Sequence, residues 1–258
     1  MFFHTTVFFY SLLAFIGFEL IALPSVADFL ISVMTDRPII FALFLLSVVA
    51  AVYQIAIKIG KKSEMTPIPI VFVLSSSTLL FLIDSPFQQQ IFILLISALY
   101  YFIHLSIYRL RFCLHDQTAR GIVSAGAIGA LFLFYAASYG IYINFAIDLW
   151  ILMIFFLLVT ISTTFQYLIL TDRGKNEVLR YSIVLGLIMS EIAWVVNFWP
   201  FGYLTTGVIT LIFYYVFWDI TQAHFLSMLS KKRVVSVLLL VVVLVGMVLL
   251  TSKWVAVV

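Results

Sequence analysis

Residues 231–252 read KKRVVSVLLLVVVLVGMVLLTS: three cations, then an uncharged apolar run that continues past Leu250. An apolar run of about 18 residues or more is long enough to cross the hydrocarbon layer of a membrane as a helix. The cations at one end add a direction, because Lys and Arg collect in the connections that stay on the cytoplasmic side. Those two features, an apolar span and a basic connection, recur upstream through the whole chain.

Reading outward from this run gives nine candidate spans, near residues 5–23, 38–59, 67–84, 88–108, 120–141, 147–170, 180–199, 203–229 and 234–252. The segments between them are too short to fold separately, so the expectation is one integral-membrane domain over 1–258, an all-α polytopic transmembrane bundle. Of the 258 residues, 65% are hydrophobic and only 10% charged, against about 25% charged in a soluble domain. Basic residues sit at alternate connections: Lys58, Lys61 and Lys62; Arg109, Arg111 and Arg120; Arg173, Lys175 and Arg180; Lys231, Lys232 and Arg233. The other turns, IDSPFQQ, YINFAID and NFWPFGY, hold none, and only Arg37 and Lys253 break the alternation. The pattern predicts an N-terminus inside, a C-terminus outside and a multi-pass protein of a cell membrane.

The first segment contains SVA, a small-residue pattern of the kind that precedes signal cleavage. It has no positive start, its apolar stretch is span-length and Glu19 interrupts it, so it reads as a retained span. Beyond it, Ser25 and Asp28 form an S-x-x-D start signal. Val26, Phe29, Leu30 and Val33 then share one face, which predicts a short helix lying on the outer surface.

The formal net charge of +3 says little, but the basic residues sit in small clusters that a membrane explains, which argues against nucleic acid as a partner. Cys113 is the single cysteine, which excludes an intrachain disulfide and a cysteine-based metal site. The chain has no Walker loop, no G-x-S-x-G elbow, no H-E-x-x-H and no paired D-x-x-x-D acids. These readings predict no metal and no cofactor. In RLRFCLHDQTARG, Cys113, His115 and Asp116 follow one another too closely to form a nucleophile and base that meet in space. A solvated turn at the headgroups is the expectation there.

Packing signals are plentiful. Gly121, Ala125 and Gly129 form a small-residue stripe at four-residue intervals, and Gly186 and Ser190 repeat it; both read as helix contact faces, internal or between two copies. Thr160, Thr163, Thr164 and Tyr167 share a face, and Ser75, Ser76, Ser77 and Thr78 run together. Such hydroxyls bond neighbouring helices or their own backbone, or else line a polar path.

Two acids fall inside late spans. Glu191 lies eleven residues beyond Arg180 and Asp219 twelve before Lys231, which is about 16–18 Å from their basic anchors at about 1.5 Å per residue. The expectation is that the two share a mid-membrane level, with Gln222 and Tyr215 as polar company to Asp219. A charge at that depth is costly, so each is expected to face the interior, find a partner or be protonated. His104 and His224 lie a turn or two from basic clusters and are secondary candidates.

The last hairpin, EIAWVVNFWPFGYLTTGVITLIFYYVFWDITQAHF, residues 191–225, resembles sequences of uncharacterised multi-pass membrane proteins of bacteria. The resemblance implies a bacterial inner-membrane protein and transfers no functional residue. Three functions remain in view: a non-catalytic membrane component with lipids, a membrane-protein partner or a second copy for company; a small-solute or proton-coupled transporter using Glu191 and Asp219; and a lipid-modifying enzyme clustering His104 and His224. The missing catalytic motifs favour the first.

Overall fold

A computed structural model describes residues 2–145, 147–171 and 173–252 of the chain. The described elements are ten α-helices and two short 3-10 turns. In chain order the helices are α1 Phe2–Ala22, α2 Pro24–Asp36, α3 Pro38–Gly60, α4 Pro67–Leu80, α5 Pro86–Phe112, α6 Gln117–Phe145, α7 Leu149–Leu168, α8 Lys175–Val196, α9 Tyr203–Phe225 and α10 Lys231–Thr251. Among the described residues, nine segments are long and apolar enough to cross a membrane; for α4 this includes the 3-10 turn before it.

Proline sets several of the starts. It opens α2, α3, α4 and α5 at the first helical position, where its missing N–H removes a donor that has no intrahelical acceptor. The predicted Ser25 start is therefore replaced: α2 begins at Pro24 with Leu23 before it and no side-chain cap. Its half-buried side is Val26, Ala27, Leu30, Val33 and Met34, while Phe29, expected on that side, is exposed. The third span also stops early, at Leu80. Gln89 Nε2 donates to Ile83 O at 2.7 Å and to Leu80 O at 3.4 Å, which satisfies carbonyls left open where the helix ends.

The chain divides into two compact units, Met1–Gly126 and Ala127–Val258. In the first unit, α1 packs on α4 and α5, and α3 packs on the same two helices. Its core includes Val7, Phe18, Ala56, Phe72, Ile93, Ile103 and Ile107. In the second unit, α8 packs on α7 and α9, and α10 on α9. The second half of α6 places Tyr135 and Tyr139 against Phe156 of α7.

Small residues set the close approaches. A Cβ on Gly186 of α8 would stand 2.6 Å from Ile161 and 3.0 Å from the Leu157 carbonyl, both on α7. Ser190, one turn on, donates to Met153 O at 3.1 Å. On α6 the residue in tight contact is Gly126, whose Cβ would meet Ile103 at 2.7 Å. The stripe read from sequence is displaced from that contact: Gly121 and Gly129 have nothing within 4 Å of an added Cβ, and Ala125 is exposed.

Candidate functional site

The α9–α10 end of the second unit gathers most of the polar residues that the sequence singles out. The register that puts them there starts with the end of α9. Ser227 adopts a left-handed φ of 55°, Met228 N bonds Ala223 O at 2.8 Å and Ser227 N bonds His224 O at 3.0 Å. These are the two bonds of a Schellman stop, with serine in the place that glycine usually fills. The chain reverses there, and α10 starts at Lys231 and runs back along α9.

That reversal brings Arg233 to Asp219. Nε donates to Oδ2 at 3.2 Å and Nη2 to Oδ1 at 2.7 Å, a two-pronged pair. The Asp219 side chain is 13% exposed. Planar guanidinium matches carboxylate in this geometry, and the pair needs no further counter-charge. Gln222, one turn on, donates to Tyr167 OH at 3.0 Å. Trp218 packs between Tyr167, at 5.2 Å, and Tyr215, at 5.7 Å. Arg173, from the α7–α8 connection, donates to Phe225 O and lies over the Phe225 ring. His224 is exposed, its ring 5.5 Å from Tyr181.

Glu191 is not part of this group. Gly186, Ser190 and Ala193 occupy the side of α8 that is buried, and Glu191 is exposed with Val184, Leu187 and Trp194. Nor does it share a level with Asp219. Because α8 runs from Lys175 to Val196, Glu191 is five residues from one end of its helix. Asp219 is six residues from the opposite end of the hairpin, at Phe225. The two are therefore separated by roughly 16 Å along the helices at about 1.5 Å per residue. The sequence estimate measured from Arg180 and Lys231, whereas α8 begins earlier and α9 ends sooner.

The remaining interior of the second unit is hydrogen-bonded to itself. Tyr135 OH and Thr160 Oγ1 are 3.1 Å apart, as are Thr164 Oγ1 and Tyr214 OH. Tyr139 OH donates to Ala193 O at 2.9 Å, and Thr163 to Val159 O at 2.8 Å. The threonine face of α7 is thus consumed in helix-to-helix and backbone bonds. At the α8–α9 turn a cavity of about 320 Å³ is lined by Tyr139, Tyr142, Asn197, Trp199 and Phe201 among others, with no charged residue.

In the first unit His104 is fully buried, its ring centroid 4.1 Å from that of Tyr100 and tilted 50° to it. Its Nδ1 is 3.0 Å from Tyr100 O, so that nitrogen carries the proton, and Nε2 has no partner. Ser11, Ser76, Ser97 and Ser106 also have buried hydroxyls without a partner. All five unpartnered atoms found among the described residues belong to this unit, and each costs about 1–3 kcal/mol if nothing reaches it. Sequence reading named His104 but missed its company; the available signal was seven-residue spacing, since Ser97 and His104 fall on one side of α5.

The α5–α6 connection holds no triad. Asp116 Oδ1 accepts from Ala119 N at 3.1 Å and Oδ2 pairs with Arg109 at 2.6 Å. The backbone N–H of Ala119, and then Arg109, hold its carboxyl below the ordinary carboxylate range. Arg120 Nε donates to Leu114 O at 2.7 Å, and Cys113 is exposed. Among the described residues no three His, Cys, Asp or Glu side chains stand together as a metal site would require.

A family model described as Protein of unknown function (DUF5656) matches residues 42–251. The chain belongs to this family. The DUF5656 match runs from early α3 to the last residue of α10, taking in His104, Glu191, Asp219 and Arg233, and leaving α1 and α2 outside. No curated protein and no solved structure matches the chain.

Proposed function

We propose that the protein is a non-catalytic component of a cell membrane, a subunit, scaffold or lipid-interacting protein, with its basic connections on the cytoplasmic side. The observation that carries this reading is the Asp219–Arg233 pair. The acid best placed to bind a cation or move a proton in the second unit is neutralised by the protein's own α10. Around it the tyrosines and threonines of α6, α7 and α9 spend their hydroxyls on one another. A substrate would have to break those bonds to find a polar contact. Nor does either histidine stand among catalytic partners within its own unit: His104 Nδ1 is spent on Tyr100 O, and His224 is exposed beside Tyr181.

Two features support lipid or protein company. α10 has no buried residue, and Val242 and Leu250 are 72% and 87% exposed, so its outer side calls for hydrocarbon or another helix. The aromatic cavity at the α8–α9 turn suits the headgroup level, where Trp and Tyr settle. The alternation of cations supports an orientation with Arg109, Arg173, Lys231 and the N-terminus inside, and the sequence resemblance supports the plasma membrane of a bacterium.

Native mass spectrometry of the protein released from nanodiscs tests this. Retained phospholipid, or a second chain in fixed stoichiometry, is the expected result. Solute uptake or lipid turnover by the purified protein that disappears in Asp219→Asn, with helicity unchanged, would overturn it.

A further inference from the structure

Three of the five unpartnered polar atoms of the first unit, on Ser76, Ser97 and His104, fall on the helices α4 and α5 at neighbouring levels. On α5, Gln90, Ser97 and His104 recur every seven residues, a spacing that drifts only about 20° per step on an α-helix. From Gln90 to His104 is about 21 Å at about 1.5 Å per residue, roughly two thirds of a hydrocarbon layer about 30 Å thick. At the Gln90 end stands an acid: Gln90 Nε2 donates to Glu19 Oε2 of α1 at 3.1 Å, both residues being near the ends of their helices.

α4 covers this side of α5. Phe72 lies 6.3 Å from Tyr100, ring to ring. The two helices are joined by a short turn and run antiparallel, so one turn beyond Phe72 corresponds to one turn before Tyr100. That register brings Ser76 to the level of Ser97. Both hydroxyls are buried and unpartnered, and so is Nε2 of His104. Ser106 lies about 160° around α5 from His104, at about 100° per residue, and belongs to another side.

His104 has one free function. With Nδ1–H fixed on Tyr100 O, Nε2 of the neutral ring is a bare lone pair that needs a donor. Buried polar atoms without protein partners are where internal water is held. Ionisable residues inside a membrane helix mark proton and ion sites by default.

We propose that the α4–α5 seam is a water-bearing half-path that delivers protons from the Glu19 end of the first unit to a proton-binding site at His104 Nε2. A proton arrives from hydroxonium in the seam, binds the Nε2 lone pair to give imidazolium, and returns to the same water when the supply falls; no other bond changes. The described ionisable groups on the elements packed against α5 are Tyr10 and Glu19 on α1, and Tyr53 and Lys58 on α3; α4 has none, and Arg120 lies at the start of α6. Glu19 alone among them is an acid, and it stands at the mouth. This inference goes beyond the non-catalytic reading of the protein and does not rest on the Asp219–Arg233 pair that carries it.

The test is nuclear magnetic resonance of the full chain, labelled with ¹⁵N-histidine and reconstituted in lipid vesicles, with His104→Gln to assign the signal. Wild type is expected to show an Nδ1–H tautomer whose Nε2 exchanges magnetisation with water. Acidifying the Glu19 side is expected to protonate the ring while acidifying the opposite side does not. Ser97→Leu, a plug, is expected to lose the water contact while keeping the Nδ1–H tautomer, and Ser97→Thr to retain both. A dry Nε2 in wild type, titration from the opposite face, or an unchanged water contact in Ser97→Leu would each overturn the proposal.

Discussion

Gly207→Ala is the sharpest test of the helix register in the second unit. An added Cβ at 207 would stand 2.9 Å from both Cα and N of Ala136 and 3.0 Å from its Cβ. Carbon contacts are comfortable at about 3.5–4.0 Å, so α9 and α6 must part by roughly 0.6–1 Å at this point. The obstruction is backbone, which cannot rotate aside as Ile161 can beside Gly186. Overpacking costs about 1–3 kcal/mol, and a backbone obstruction belongs at the upper end, about 2–3 kcal/mol. In water the substitution would recover up to about 1 kcal/mol of helix propensity. In a bilayer the separated helices keep their backbone bonds, so little of that gain is available. Gly129→Ala is the control: it lies on α6, with nothing within 4 Å of its Cβ, and should stay within about 0.5 kcal/mol of wild type. Reversible unfolding in mixed micelles, followed by tryptophan fluorescence, measures both. Wild-type stability in Gly207→Ala, or equal loss in the two variants, would refute the α6–α9 contact.

Four further outcomes follow from the same geometry. Asp219→Asn and Arg233→Gln should each lower the melting temperature in detergent, and the exchange Asp219→Arg with Arg233→Asp should recover more than half of the loss; no recovery would show that the two are not partners. Tyr135→Phe should cost only about 0.6 kcal/mol, the usual worth of a hydrogen bond between membrane helices, because Thr160 can turn to its own backbone; the unfolding assay above reads it. Cys113, free and exposed in the α5–α6 connection, should resist a membrane-impermeant maleimide in intact cells and react in inside-out vesicles, and labelling of intact cells would reverse the orientation. Asp116 has a lowered carboxyl in the folded protein, so its contribution is complete above the ordinary value of about 3.9 and is lost as pH falls through the lowered one. Protection of the Ala119 amide, measured against its intrinsic exchange rate, should therefore fall in that acid range, and Asp116→Asn should remove that fall.

The helices were legible because the feature that makes them is local. Apolar length decides whether a segment can cross hydrocarbon, and nothing elsewhere in the chain alters that requirement. Their ends were less legible, and the ends moved the candidate site. LSMLS, residues 226–230, is apolar enough to read as more of α9, yet a left-handed Ser227 stops the helix at Phe225. At the other side of the hairpin, KNEVL reads as a polar connection but forms the first turns of α8. Each error is a few residues, and together they turned two acids at opposite ends into a supposed pair. Arg233 was hidden in the same way: the expected last span begins at 234, whereas α10 begins at Lys231 and carries Arg233 in its first turn, within reach of Asp219.

Hydroxyl satisfaction was illegible for a different reason. Thr160 and Thr164 on α7 and Ser76 on α4 look alike in sequence, as small polar residues in apolar helices. What separates them is the residue opposite. Thr160 meets the hydroxyl of Tyr135 and Thr164 that of Tyr214, while one turn from Ser76 the contact across the seam is made by a phenyl ring, Phe72. Whether a buried donor is spent or waiting is a property of two helices and their register, and no single helix encodes it. Two units of one chain can therefore differ in what their interiors can do, one closed by its own hydrogen bonds and the other with a lone pair and four hydroxyls still to be occupied.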